Sequence, residues 1–384
     1  MFSIFYFNDL ENFLSSPLSS HVQLHIDLMR QNIGAPNITT LGSALVSCSN
    51  LKILDLSLSI NNLGAQGAQA LGQSLKDCSN IQDLTISLEY NNIGAKGSFE
   101  LCNALSNCLK LSNLVLKLDV NQIGAKGVIN LCQALTKCAN LSTLTLLLRF
   151  NQLKGEGASG LGSILPKFTS LSSLKLGLEV NEINAKGAQS LSLGLASCQN
   201  LRQLTLNLIE NKIGSKGALD LCSALEKIQN LSTLNLDLSH NQIGDQGSTN
   251  IGLGLQNCIK LYNLTLSLNG NQIRKQGSLS LIDSLNNSKS LYILKLILRQ
   301  KINYLLIKNK KKKKQFQFYV FQFKNLKQSK RICQITFHEY LILLQKKYSY
   351  IFNIRQNQLD QEDELLLKNR IYKLRKLIVQ SIAF

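Results

Sequence analysis

Apolar and polar positions repeat along most of this chain at a step of thirty residues. The stretch Leu51–Asn80, LKILDLSLSINNLGAQGAQALGQSLKDCSN, is rewritten again and again in the same register. Numbered from its leading leucine, position 8 is Leu58, Leu88, Leu118, Leu148, Leu178, Leu208, Leu238, Leu268 and Leu298. Position 11 is asparagine in every unit from Asn61 through Asn91, Asn121, Asn151, Asn181, Asn211 and Asn241 to Asn271. A fixed period of this size marks a solenoid, in which a unit buries its apolar face only against its neighbours.

Within one unit the spacing changes once. Leu54, Leu56 and Leu58 alternate with polar residues, the period of a short strand with one buried face. Asn61, Gly64 and Gly67 then turn the chain. Glycine is expected there for positive φ, and a buried asparagine amide for satisfying backbone groups that the turn leaves unpaired. Ala68, Leu71, Leu75 and Cys78 follow at steps of three and four, the stripe of a helix of about three turns. A strand and a helix in so short a repeat require parallel strands with the helices on the opposite side.

The segment LTLNLIENKIGSKGALDLCSAL, from Leu204, resembles the ribonuclease-inhibitor type of leucine-rich repeat, with its LxLxxNxIGxxGAxxLxxxL core. The resemblance covers roughly residues 21–300, nine full units and a tenth strand. It implies an α/β leucine-rich-repeat solenoid, a horseshoe with strands on the concave face, helices on the convex face and the asparagines stacked as a ladder. Thirty residues is slightly above the usual repeat length, and the strand has an extra apolar residue at position 4, so longer strands than usual are expected. Proteins of this class present their concave face to protein partners. The Ran-type GTPase-activating proteins share the repeat, but the loop residues through which they act have no match here.

The ends depart from the pattern. His21 replaces the leading leucine of the first unit, Gln31 the ladder asparagine and Asn37 the position-17 glycine, as terminal repeats commonly do. Residues 1–20 start with the apolar MFSIFYF but meet Asp9 and Glu11 at once and lack a basic leader. They are expected to form an amphipathic N-terminal cap rather than a secretory signal. After Gln300 the repeat stops, and residues 301–359 contain no Gly, Ala, Pro or Asp. A basic, disordered segment is expected over 301–357 and a capping helix over 358–384.

Composition changes the picture in three places. Apolar residues make up 44% of the chain without a run of eighteen, so no transmembrane helix is expected. The net charge is +19, but most of the basic excess lies beyond residue 300, around Lys308–Lys314. That run suits a nuclear-localisation or nucleic-acid patch and says nothing about the repeats. Nine of the ten cysteines dissolve into the register: six occupy position 28 and three position 22, alongside Phe168 and Ile228 as alternatives at position 28. Helices packed about 8–10 Å apart are too distant for easy bridging. Without CxxC or histidine at ligand spacing, buried free thiols in a reducing, cytoplasmic compartment are expected, with no metal and no cofactor.

Gly155-Glu156-Gly157-Ala158-Ser159-Gly160 fits a GxGxxG dinucleotide pattern, yet Gly157 is the ordinary position-17 glycine and Glu156 would oppose a phosphate. No P-loop, kinase motif or catalytic triad order is present, so no catalytic residue is assigned. What remains is surface. Position 9 reads Glu89, Asp119, Arg149, Glu179 in successive units, and position 10 reads Tyr90, Val120, Phe150, Val180. Parallel strands are less than 5 Å apart, so an acidic row is expected beside an apolar-aromatic one. The candidate partner-binding residues are Glu89, Tyr90, Asp119, Arg149, Phe150 and Glu179. The lysines Lys96, Lys126, Lys186 and Lys216 form a separate loop row. The expected protein is a non-enzymatic, monomeric module that binds a protein partner.

Overall fold

Each of the nine full thirty-residue units folds as one strand, one tight turn and one helix. The computed structural model describes residues 4–298 and 317–320. Strand β1 (Ile4–Phe7) and a short helix α1 (Leu10–Leu14) precede the first unit. The strands of the repeats are β2 (Gln23–Asp27), β3 (Ile53–Ser57), β4 (Asp83–Ser87), β5 (Asn113–Lys117), β6 (Thr143–Leu147), β7 (Ser173–Gly177), β8 (Gln203–Asn207), β9 (Thr233–Asp237), β10 (Asn263–Ser267) and β11 (Ile293–Ile297). The helices between them are α2 (Ala35–Ser47), α3 (Gly64–Leu75), α4 (Gly94–Leu105), α5 (Gly124–Leu135), α6 (Lys154–Ile164), α7 (Asn184–Ala196), α8 (Gly214–Leu225), α9 (Gly244–Gln256) and α10 (Lys275–Asn287).

All strands join one parallel sheet in sequence order, and from β2 to β11 the register advances by thirty residues per step, so Leu54 faces Leu84 and Leu84 faces Leu114. Positions 4, 6 and 8 are buried between sheet and helices throughout, as at Leu144, Leu146 and Leu148. The longer strands are not seen: each repeat strand has five residues, and position 4 is the first inward residue of an ordinary strand. The N–H groups of positions 8 and 10 nonetheless continue to donate to the next unit, Leu58 N to Ser87 O at 2.8 Å and Ile60 N to Glu89 O at 2.9 Å.

The ladder forms as the sequence requires. The Oδ1 of Asn151 accepts the backbone N–H of Asn121 at 3.1 Å and of Ile123 at 3.2 Å, while its Nδ2 donates to Leu118 O at 2.8 Å. Each asparagine thus satisfies the turn of the preceding unit. Gln31 has no preceding unit to serve, and its own turn is held by Asn61. The two glycine positions play different parts. Gly64 has φ +60°, whereas Gly67 lies in the helix with ordinary φ. Position 17 is instead a point of close helix approach: a Cβ on Gly97 would lie 2.9 Å from Ala65 Cα in the preceding helix. Asn37 escapes that constraint because α2 has no repeat helix before it.

The nine described cysteines are unpaired and buried. Thiols at position 28 reach the end of the preceding helix, Cys108 Sγ donating to Leu75 O at 3.4 Å and Cys138 Sγ to Leu105 O at 3.7 Å. Burial pushes the Cys108 thiol up to about 11 and that of Cys132 to about 12, which keeps them neutral and unreactive.

The ends add to the repeat pattern. MFSIFYF supplies an added parallel strand, β1, against β2. His21 is buried under an aromatic cluster of Phe5, Phe7 and Phe13, with Nε2 2.8 Å from Ser16 Oγ. Burial lowers its pKa, favouring the neutral ring. Within the segment expected to be disordered, Gln317–Val320 forms a last strand, β12, parallel to β11 with a shift in register. Its backbone pairs along the otherwise open edge of β11. Lys308–Lys314 and the expected capping helix over 358–384 lie outside the described residues. Every described residue belongs to one compact unit.

Candidate functional site

The six candidate residues stand just beyond the ends of β4 to β7, in the turns that lead to α4 to α7, rather than on the strands themselves. They form a rim along one edge of the sheet. Successive rim residues are tied by backbone bonds: Tyr90 N donates to Asp119 O at 3.1 Å, Val120 N to Arg149 O at 2.8 Å and Phe150 N to Glu179 O at 3.1 Å. The two rows expected from the register therefore lie side by side.

The backbone at position 10 is left-handed in all nine units where it is described: φ is 61° at Ile60, 57° at Tyr90, 58° at Val120, 54° at Phe150 and 54° at Val180. Side chains other than Gly and Asn resist this conformation by roughly 1–2 kcal/mol per residue, and β-branched ones most of all. Gly270 occupies the same position with φ 66°, so glycine fits the turn. Apolar and aromatic side chains nonetheless fill units two to six, with Tyr90 57% and Phe150 44% exposed. Flanking units carry Arg30, Glu210, His240 and Gly270 instead.

The carboxylates of position 9 are half-buried and held by neighbours that the sequence pattern did not single out. Ser59 Oγ donates to Glu89 Oε2 at 2.5 Å, and Asn207 Nδ2 to Glu179 Oε1 at 2.5 Å. The backbone N–H of Arg149 donates to Asp119 Oδ1 at 2.8 Å. The exposed Arg149 guanidinium lies over the Phe150 ring, 4.8 Å from its centroid, a cation–π contact. Burial raises the pKa of Asp119, with the Glu89 charge adding to it and the Arg149 N–H opposing it. Burial likewise raises that of Glu179, opposed first by its own backbone N–H and then by Arg149, and reinforced by Asp119 and Asp237. Gly177 is a neighbour that could have been found, being the one glycine at position 7 of any unit.

The other motifs resolve into structure. Gly155, Gly157 and Gly160 all lie inside α6, where added Cβ atoms would meet Asn184, Leu153 and Ile129 respectively, so they serve helix packing and leave no phosphate loop. The lysine row is exposed in the first turns of α4, α5, α7 and α8, apart from the rim residues in the unit. Among the described residues no group of three His, Cys, Asp or Glu is placed to hold a metal ion, and no helix is long and apolar enough to cross a membrane.

The leucine-rich-repeat family pattern matches residues 47–72 and 230–251. With one parallel sheet, repeated strand–turn–helix units and an asparagine ladder, the fold is that of a leucine-rich-repeat α/β solenoid. Among solved structures, the complex of TLR13 with ssRNA13 is similar at 20% identity and a TM-score of 0.33, over 66% of this chain and 30% of that one. The chain therefore spans less than a third of that protein's length. No curated protein matches it in sequence.

Proposed function

We propose that this protein is a non-enzymatic binding module of the ribonuclease-inhibitor type of leucine-rich repeat. It presents the rim formed by Glu89, Tyr90, Asp119, Arg149, Phe150 and Glu179 to a protein partner. The observation that carries this reading is the left-handed row at position 10. Tyr90 and Phe150 are kept there against backbone preference and left exposed, beside the half-buried Ile60, Val120 and Val180. Exposed aromatic residues beside charges are what protein interfaces use. Buried, unpaired thiols fit a monomer working in the cytoplasm.

The test is a photo-crosslinking amino acid placed in the full chain in cells. Crosslinkers at 90 and 150 are expected to give a discrete protein adduct, and one at 126 or 219 on the helix side little or none. Equal or stronger adducts from the helix-side positions overturn the reading.

A further inference from the structure

The rim also carries information about the chemistry of what it binds. Glu179 folds back over Gly177 onto the sheet face: a Cβ on Gly177 would stand 3.1 Å from Glu179 Oε2 and 3.0 Å from Leu147 Cδ2. Oε1 takes the Asn207 amide, but Oε2 is shielded from solvent and accepts no hydrogen bond among the described residues. Arg149 does not supply a partner. Its guanidinium is held over Phe150.

A half-buried carboxylate with an unpaired oxygen is costly, and the approach of a cation that donates to it relieves that cost. The charge disfavoured by burial at Glu179 and Asp119 points the same way. The missing side chain at Gly177 leaves the room into which Glu179 Oε2 is turned, so the half-buried carboxylate meets a cation by turning outward, and Leu147, Phe150 and Val180 offer apolar surface for the stem of a long basic side chain and its neighbours. Sequence confines this arrangement to one place: other units carry Asp, Ser, Lys, Leu, Asn or Ile at position 7.

We infer that the rim takes a segment of its protein partner in which an arginine or lysine pairs with the Glu179 carboxylate while adjoining apolar side chains pack on Phe150 and Val180. This rests on the rim being the binding surface and adds the chemistry of the partner. A basic partner matches the rim despite the chain's positive total, because contacts in a partly desolvated site are governed by the nearest charges.

The experiment selects peptides from a random-peptide library on the full chain and measures the affinity of the synthesised peptides for variants. Selected sequences are expected to share an arginine or lysine flanked by apolar residues. Their affinity should fall about tenfold or more for Glu179→Gln, which keeps the shape and removes the charge. Gly177→Ser should weaken them as well, Lys126→Ala should not, and affinity should fall in acid as Glu179 is protonated. Peptides without a basic residue that lose affinity for Phe150→Ser but not for Glu179→Gln overturn this inference and leave the rim reading intact. Peptides indifferent to both substitutions overturn both. Failure to select any peptide, or self-association of the chain as the sole Glu179-dependent event, also overturns the inference.

Discussion

Two adjacent positions of the repeat follow opposite rules. At position 11 the side chain is asparagine in eight consecutive units, each making the same bonds to the turn before it. At position 10 the backbone is equally uniform, left-handed in all nine units where it is described, yet the residue changes from Arg30 through Ile60, Tyr90, Val120 and Phe150 to Gly270. Where buried backbone depends on the side chain, one residue type fills every unit. Where the backbone would be served best by glycine, eight of nine units carry something else, and the apolar ones cluster. Position 11 therefore reads as what the fold needs, and position 10 as what the fold tolerates for another purpose.

The largest effect expected from breaking this contrast is at the ladder. Asn151→Ala leaves the Asn121 and Ile123 N–H groups and the Leu118 carbonyl without partners in a buried turn, at about 1–3 kcal/mol each when unsatisfied. A loss of roughly 3–5 kcal/mol in urea unfolding is expected, allowing for partial relaxation. Gln31→Ala, at the open end of the ladder, should lose about 1 kcal/mol or less, since its amide bonds only to the exposed carbonyl of Asn8. Equal losses at the two sites would remove the ladder from the account.

Next in size is the helix contact. Gly127→Val places a Cβ 2.9 Å from Ala95 Cα of the preceding helix and should destabilise by about 2–3 kcal/mol, read from the same unfolding curves. A neutral result would mean that position 17 is free of the close approach assigned to it.

The smallest stability effect concerns pH. The folded-state pKa values of Asp119 and Glu179 are raised above their unfolded ones. The folded chain therefore holds these protons more tightly, and their contribution to stability is present in acid and lost as pH rises through the folded values. Asp119→Asn with Glu179→Gln should flatten that decline above the ordinary carboxylate range and leave the neutral-pH protein no less stable. A steeper decline in the variant contradicts the assigned burial.

Much of this was legible in the sequence because burial imprints a period. Leu54, Leu56 and Leu58 mark the strand, Ala68, Leu71 and Leu75 the helix, and Asn61 the ladder, since each is chosen by the same neighbours in every unit. The cysteines fell into place for the same reason. Other features leave no periodic trace. That Tyr90 and Phe150 sit in left-handed backbone is hidden, because no glycine marks those units; only Gly270 hints at it. The notch at Glu179 depends on a single departure, Gly177, against Leu147 and Asn207 in the neighbouring strands. The strand formed by Ile4–Phe7 and the burial of His21 depend on an end effect that no repeat can teach.

The central claim is that the exposed side chains at position 10 serve binding at a cost to folding. It is tested most directly by measuring, on one variant, Tyr90→Gly with Phe150→Gly, both the denaturation midpoint and the affinity for a rim-selected peptide. Glycine relieves roughly 1 kcal/mol or more of backbone strain per site, offset in part by the added freedom of the unfolded chain. The account predicts a midpoint that is unchanged or higher, together with an affinity reduced about tenfold or more. A clearly lower midpoint with unchanged affinity would show that these side chains serve the fold itself, and would contradict the account.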